Sequence, residues 1–320
     1  MVSLFGRDLI SIADLTKSEI LEVLRRAAAL KRQPAPNALA GKSLATLFFE
    51  SSTRTRLSFQ TAMKRLGGTV IGVTDKGSTT TSKGESLADA VRIIGQYVDA
   101  LVIRHPLEGS ARRAAEATDK PVINAGDGAN QHPTQTLLDL FSIQETQKKL
   151  TGLSVALGGD LKYGRTVHSL VRVLASHFSP RLFFVAPEML QIPAEYQRML
   201  EQHRVRFSLH DRIEEVVRKV DIFYMTRIQR ERFPDPLEYE KVKDTICLRQ
   251  AHLDEVKKNL KILHPLPRVN ELEQSVDQTP YAYYFQQAEN GLYVREALLM
   301  MMLKKSGAKA KLSNGAELRF

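Results

Sequence analysis

SLATLFFESSTRTRLSFQTAMKRLGG, running from Ser43 to Gly68, contains a strand, a turn and a helix in one stretch. Leu44 to Phe48 is an apolar run of strand length. Phe59, Met63 and Leu66 then recur at helical spacing until Gly67-Gly68 stops the pattern. A buried strand feeding straight into a helix is half of a βαβ crossover, the unit of a parallel sheet. Between the two stand Ser51, Ser52, Thr53, Arg54, Thr55 and Arg56. A helix N-terminus exposes unpaired N–H groups and the positive end of the dipole, so hydroxyls and guanidinium groups placed there match the oxygens of a phosphate. Two readings stand at this point: an anion site, or an ordinary N-cap at Ser52 or Thr53 with solvated arginines.

The same alternation extends in both directions. Strands are expected near Leu44 to Phe48, Val70 to Val73, Ala100 to Ile103, Val122 to Asn124, Ser154 to Leu157, Leu182 to Val185, Arg206 to Ser208, Ile222 to Tyr224 and Ile262 to Leu263, with helices between them. The first helix, Thr16 to Lys31, opens on a Thr16-x-x-Glu19 capping box and carries Ile20, Leu24, Ala27 and Leu30 on one face. The expected class is α/β, with two domains that are each a mainly parallel sheet flanked by helices, joined by a long interdomain helix. The boundaries read as 1–132 and 150–285, with 133–149 as the connecting helix, the helical pattern from Gly291 to Lys305 returning to the first domain, and 306–320 a flexible basic tail.

Composition narrows the partners. The 320 residues are 43% hydrophobic and 26% charged, which excludes a disordered chain and leaves enough apolar mass for two cores. Lys and Arg number 46 against 36 for Asp and Glu, a net charge of +10 that asks for an anion: nucleic acid, acidic membrane or phosphorylated metabolite. With zero Trp and no aromatic-basic interleaving, nucleic acid is disfavoured. The most apolar run, Ala297 to Leu303, is far shorter than the roughly 20 residues that cross a bilayer. One Cys, Cys247, leaves neither an internal disulfide nor a Cys-based zinc site, and the N-terminus shows no secretory pattern, so a cytoplasmic protein is expected.

Further motifs sit where strands should end. Gln131-His132-Pro133-Thr134-Gln135 opens the long helix after a Gly-rich segment. There His132 is either a donor to a carbonyl oxygen, kept neutral by the helix N-terminus, or a structural His in a capping region. Gly159-Asp160-Leu161-Lys162-Tyr163-Gly164-Arg165 follows a strand and is either a ligand loop or a plain connection. Arg104-His105-Pro106, Thr226-Arg227-Ile228-Gln229 and His264-Pro265-Leu266-Pro267-Arg268 repeat the placement of a cation at a strand end. Together these read as a funnel of guanidinium groups. A Walker loop, a G-x-G-x-x-G fingerprint and a nucleophile elbow are all missing from the sequence.

In order, FFESSTRTRLSF, KGESLAD, VIRHP, GDGANQHPTQTLLDL, GDLKYGRTVHSL, YMTRIQRERF, HPLPRVNE and AENGLYVREALL resemble the catalytic chains of the aspartate carbamoyltransferase family, from Phe48 to Leu299. Ornithine carbamoyltransferases look similar but carry Cys where Pro265 stands. The resemblance implies carbamoyl transfer from carbamoyl phosphate to L-aspartate, the committed step of de novo pyrimidine synthesis. No metal, cofactor or covalent intermediate is implied. Ser52, Thr53, Arg54 and Thr55 would hold the phosphate. Arg104, His132 and Thr55 would polarise the carbamoyl oxygen, and Gln135 with the carbonyls of Leu266 and Pro267 would bind the carbamoyl NH2. Arg165, Arg227 and Gln229 would hold the aspartate carboxylates. Lys83 would come from a neighbouring subunit of a homotrimer with shared sites, open to further assembly with a regulatory chain or another pyrimidine enzyme. Thr79 stands where the family usually has Ser four residues before that Lys, with Ser78 as a substitute. Glu50 with Arg165 and Arg232 resembles the family's closure contacts between domains.

Overall fold

The computed structural model describes residues 2–72, 84–230, 233 and 235–305, and the backbone of 73, 309–311 and 317–319. Two units are distinguished, residues 1–138 with 290–320, and residues 139–289. The first contains α1 (Lys17–Arg32), β1 (Ser43–Phe48), α2 (Thr53–Arg65), β2 (Thr69–Val73), α3 (Leu87–Gly95), β3 (Ala100–His105), α4 (Ser110–Ala115) and β4 (Val122–Asp127). Then α5 (Pro133–Gln147) leads into the second unit: β5 (Ser154–Gly158), α6 (Arg165–His177), β6 (Arg181–Val185), α7 (Ala194–Gln202), β7 (Arg206–His210), β8 (Ile222–Met225), α8 (Pro236–Val242) and β9 (Lys261–Leu263). α9 (Tyr284–Leu303) returns to the first unit and precedes β10 (Lys309–Lys311) and β11 (Glu317–Arg319).

All nine strands from β1 to β9 fall where the apolar runs place them, in two parallel sheets. The first sheet has the order β2-β1-β3-β4 and the second β7-β6-β5-β8-β9. Continuous apolar strands such as Leu44 to Phe48 are buried along their length because helices cover both faces of a parallel sheet. On one face of the first sheet, Ala45, Leu47, Leu101, Ile103 and Val122 pack with Val91, Ala111 and Ala114. In the second unit Ala156, Phe183, Phe223 and Ile262 pack with Val216, Val220, Leu248 and Tyr284. Edge strand β7 alternates Arg206, Ser208 and His210 with its apolar residues, polar chemistry suited to an edge.

Both orders contain a reversal. The chain adds strands to one side of β1 and then crosses to the other at β3, and does the same between β5 and β8. Ligand crevices of open α/β sheets form outside the strand C-termini at such switch points. The register puts Phe48 opposite Arg104 in one sheet and Gly158 opposite Met225 in the other. The loops that leave these positions carry most of the candidate site residues.

Three differences from the sequence reading have local causes. The division between units falls inside α5, between Leu138 and Asp139, rather than at the ends of that helix. α9 begins at Tyr284, because Gly291 is a packing position within the helix: a Cβ there would lie 2.4 Å from Arg295 Nη1 and 3.0 Å from the Leu138 side chain. The segment expected to be a loose tail contains β10 and β11, paired antiparallel with Lys309 opposite Arg319. Ala310 stands opposite Leu318, and Lys311 opposite Glu317.

The capping box at α1 is present in full, with Thr16 Oγ1 accepting from Glu19 N–H at 3.3 Å and Glu19 Oε2 accepting from Thr16 N–H at 2.8 Å. α9 brings a less comfortable group, Glu296, 2% exposed. Arg65 Nε lies 2.9 Å from its Oε1, but this oxygen is not in line with a donor and makes no hydrogen bond. Burial therefore outweighs the nearby guanidinium and pushes the carboxyl up to about 7. A raised carboxyl holds its proton in the folded state between about pH 4.5 and 7, so its contribution to stability falls as pH rises through that window. Glu296→Gln should raise Tm at pH 8, by roughly 1–3 kcal/mol of stability, with little gain at pH 4.5; thermal unfolding at both pH values measures this.

Candidate active site

α2 begins at Thr53, with Ser52 as the N-cap residue at φ −159° and ψ 92°. Ser52 thus occupies the N-cap position, but its side chain makes no capping hydrogen bond. Its hydroxyl, the first N–H groups of α2 and the exposed Thr53 and Arg54 form one concentration of donors, while Thr55 turns inward and is 7% exposed. Beside it, on the neighbouring strand, Arg104 is 9% exposed. Its Nη1 donates to the carbonyl of Ala125 at 3.1 Å and its Nη2 to Glu50 Oε1 at 2.8 Å. Those bonds orient the guanidinium at the end of β3, and the Phe49 N–H donates to the Arg104 carbonyl at 2.9 Å, tying the two strand exits together.

His132 stands immediately before α5 and is 4% exposed, with Gln135 one turn on at 8%. The loop that delivers them is shaped by Asp127. This carboxylate accepts from Asn124 Nδ2 at 2.9 Å, Gly109 N–H at 3.0 Å, Asn130 Nδ2 at 3.0 Å and Gln131 N–H at 3.1 Å. Gly128, at φ +55°, permits the turn, since a Cβ there would lie 3.0 Å from the Pro106 carbonyl oxygen. Ser52, Thr53, Arg54, Thr55, Arg104, His132 and Gln135 thus all belong to the first unit.

The second unit holds Arg165, Arg227, Gln229, Leu266 and Pro267. Gly159 ends the β5 exit at φ +102°, and a Cβ on it would sit 2.0 Å from the Thr226 carbonyl oxygen. Only glycine lets the β5 and β8 exits come this close. Asp160 follows, fully buried, accepting from Tyr163 N–H at 2.9 Å and Gln229 N–H at 3.4 Å. Burial pushes its carboxyl up to about 6, against the opposing pull of these N–H groups and of the Arg227 charge. Arg165 opens α6 and is 8% exposed; Arg227 and Gln229 are half-buried on the β8 exit, where Gln229 Nε2 donates to the Tyr163 carbonyl at 3.5 Å. Asp160 therefore links the loop of Arg165 to the loop of Arg227 and Gln229.

The funnel of strand-end cations loses one member. Arg268 Nη2 donates to Asp277 Oδ2 at 2.6 Å and Nη1 donates to the Tyr284 hydroxyl at 3.2 Å, so its charge is used within the fold. Asp277 is held below the usual carboxylate range chiefly by that hydrogen bond. Leu266, at φ +49°, precedes Pro267 across a cis peptide. Thr79, Ser78, Lys83 and Arg232 lie outside the described residues. The sequence reading assigned no role to Asp160, although it stands inside a quoted motif; an acid among expected anion ligands was the available signal.

The family described as aspartate/ornithine carbamoyltransferase, carbamoyl-P binding domain, matches residues 7–145, and the Asp/Orn binding domain of the same family matches residues 151–302. Among solved structures, aspartate transcarbamoylase from Trypanosoma cruzi in complex with N-(phosphonacetyl)-L-aspartic acid is 37% identical, with a TM-score of 0.89 over 94% of this chain and 97% of that one. The same enzyme with carbamoyl aspartate and phosphate gives the same figures: 37% identity, TM-score 0.89, and 94% and 97% coverage. The catalytic subunit of M. jannaschii aspartate transcarbamoylase is 47% identical, with a TM-score of 0.85 over 92% of this chain and 97% of that one.

The contact at Gly159 gives a direct test of the close approach of the β5 and β8 exits. Gly159→Ala should destabilise the protein by about 3 kcal/mol or more, because the backbone carbonyl of Thr226 cannot yield as a flexible side chain would. Chemical denaturation compared with the native chain measures it, and a change within about 0.5 kcal/mol would contradict the close approach.

Proposed function

The chain belongs to the aspartate/ornithine carbamoyltransferase family, and we propose that it transfers the carbamoyl group of carbamoyl phosphate to L-aspartate, giving N-carbamoyl-L-aspartate and phosphate in pyrimidine synthesis. The observation that carries this reading is the pair of switch points, one furnished with phosphate donors and the other with two arginines and an amide. Ser52, Thr53, Arg54 and Thr55 bind the phosphate; Arg227, Arg165 and Gln229 take the two carboxylates of aspartate, for which forked guanidinium donors are suited. Among the described residues no helix is long and apolar enough to cross a membrane.

The aspartate amine attacks the carbamoyl carbon, a C–N bond forms, and negative charge gathers on the carbamoyl oxygen. Collapse breaks the C–O bond to phosphate, and the proton lost from the attacking nitrogen ends on the departing phosphate, which leaves as hydrogen phosphate. Arg104, Thr55 and His132 donate to that oxygen, and each well-placed donor at such a centre contributes roughly 3–4 kcal/mol to the transition state. Holding two small anions that repel each other in water contributes another several kcal/mol through orientation. The Ala125 carbonyl and Glu50 leave Arg104 pre-oriented, so little rearrangement accompanies charge development.

Steady-state assays with carbamoyl phosphate against L-aspartate and L-ornithine decide the acceptor; turnover with aspartate and none with ornithine is expected. His132→Ala should lower kcat by roughly two to three orders of magnitude, and near-native turnover would contradict its role at the oxygen. Arg227→Ala should mainly raise the KM for aspartate. We further propose a homotrimer whose sites are shared, with Thr79 and Lys83 supplied by the neighbouring copy. Mixing inactive Lys83→Ala and Arg54→Ala chains should then restore part of the activity, since some interfaces carry neither lesion. Mixed trimers with no recovery would count against sharing.

A further inference from the structure

Ser208, His210 and Glu215 form a hydrogen-bonded relay at the outer edge of the second sheet. The Ser208 hydroxyl lies 2.8 Å from His210 Nε2, and His210 Nδ1 lies 2.6 Å from Glu215 Oε2. Ser208 and His210 are two residues apart on β7, so their side chains stand on the same face of the strand. Glu215 ends the single turn Ile213–Glu215 that follows. That turn is held in place by the buried Ile213 and by Glu214, whose Oε1 is 3.2 Å from His252 Nε2. The Glu215 carboxyl is held below the usual range, chiefly by its hydrogen bond from His210, so it is ionised and can only accept. The ring proton therefore sits on Nδ1, and the lone pair of Nε2 faces the Ser208 hydroxyl proton.

This order of partners is the one a serine nucleophile needs: a base for the hydroxyl proton, and an acid that fixes the tautomer and balances the imidazolium. The end of β7 is docked by other bonds. Gln191 Nε2 donates to the carbonyls of His210 at 3.0 Å and Ala186 at 3.2 Å, and the Ala186 N–H donates to the His210 carbonyl at 3.0 Å. The last bond also decides which main-chain donors stay open. Among the described strands β7 pairs with β6 alone, and a parallel strand meets its neighbour through alternate residues. With His210 turned to β6, the Leu209 N–H faces the open edge. Leu209 directly follows Ser208, the position from which a main-chain N–H serves the oxyanion in serine hydrolases. The site is reachable: Ser208 is half-buried, and the His210 and Glu215 side chains are 16% and 43% exposed. The Phe183 ring, its centroid 6.0 Å from that of the imidazole, offers an apolar wall. All of these residues lie within the second unit, and none belongs to either half-site for carbamoyl transfer.

We propose that Ser208, His210 and Glu215 are the nucleophile, base and orienting acid of a second site, which hydrolyses short-chain carboxylic esters. Ser208 Oγ bonds to the ester carbonyl carbon while its proton passes to His210 Nε2. Collapse breaks the bond to the alcohol oxygen, which leaves with that proton. Water then adds to the acyl-serine and gives a proton to Nε2; the second collapse frees the carboxylic acid and returns the proton to Oγ. The probes are p-nitrophenyl acetate, for turnover, and an alkyl fluorophosphonate, which captures an activated serine with loss of fluoride. The native chain should release p-nitrophenolate catalytically, Ser208→Ala should lower that rate about tenfold or more, and Glu215→Gln about fivefold. Peptide mapping should place the fluorophosphonate on Ser208, and His210→Gln should abolish the label. Thermal unfolding shows which variants are folded, and labelling of the native chain decides the matter if Ser208→Ala is not. A folded Ser208→Ala chain that matches the native rate would overturn the proposal, as would a native chain whose Ser208 peptide is recovered unmodified.

Discussion

Parallel pairing of β1 with β3, which sets Phe48 opposite Arg104, is the constraint on which the first half-site depends. Parallel strands end on the same edge, and a strand order that reverses there leaves two exits diverging around a gap. The α2 N-terminus leaves one exit and Arg104 the other, so donors separated by some fifty residues of chain meet without any loop having to wander. The second sheet repeats the arrangement around β5 and β8, where the glycine at 159 allows a separation that any side chain would forbid. Thus two sheets with different strand numbers share the same kind of strand-order reversal.

Electrostatics then divides the arginines into two kinds. Arg268 and Arg26 are tied to Asp277 and Glu22 and act within the fold. Arg104 also has an acid, Glu50, but this contact together with the Ala125 carbonyl aims the guanidinium at a strand exit. Asp160 is the counterpart in the second unit: a buried acid whose hydrogen bonds to the Tyr163 and Gln229 N–H groups set the loops that carry Arg165 and Arg227. Burying Asp160 opposes its ionisation, as its upward displacement indicates, yet its hydrogen bonds are what fix the two loops to each other.

Much of this was legible in one dimension. The runs from Leu44 to Phe48 and Ile222 to Tyr224, the Thr16-x-x-Glu19 box and the Ser/Thr/Arg cluster at the start of α2 are local features, and local propensity, period and capping chemistry specify them. The order of motifs along the chain was enough to identify the family. Gly291 was misread as a helix boundary because a glycine in a sequence carries no label separating a cap from a close helix contact.

What the tertiary structure alone decided concerns partners distant in sequence. That Arg268 is neutralised by Asp277, that Asp160 joins the exits of β5 and β8, and that Tyr224, Asp139, Gln287, His264 and Glu271 form one chain depends on distances through space, which no spacing rule contains. The amino-acid sequence by itself determined the alternation of strands and helices, and the chemistry offered at the strand exits, because both arise from neighbours along the backbone. The use made of each charge was left to folding, since a hydrogen bond or an ion pair is made only where burial removes water and brings its two ends within reach.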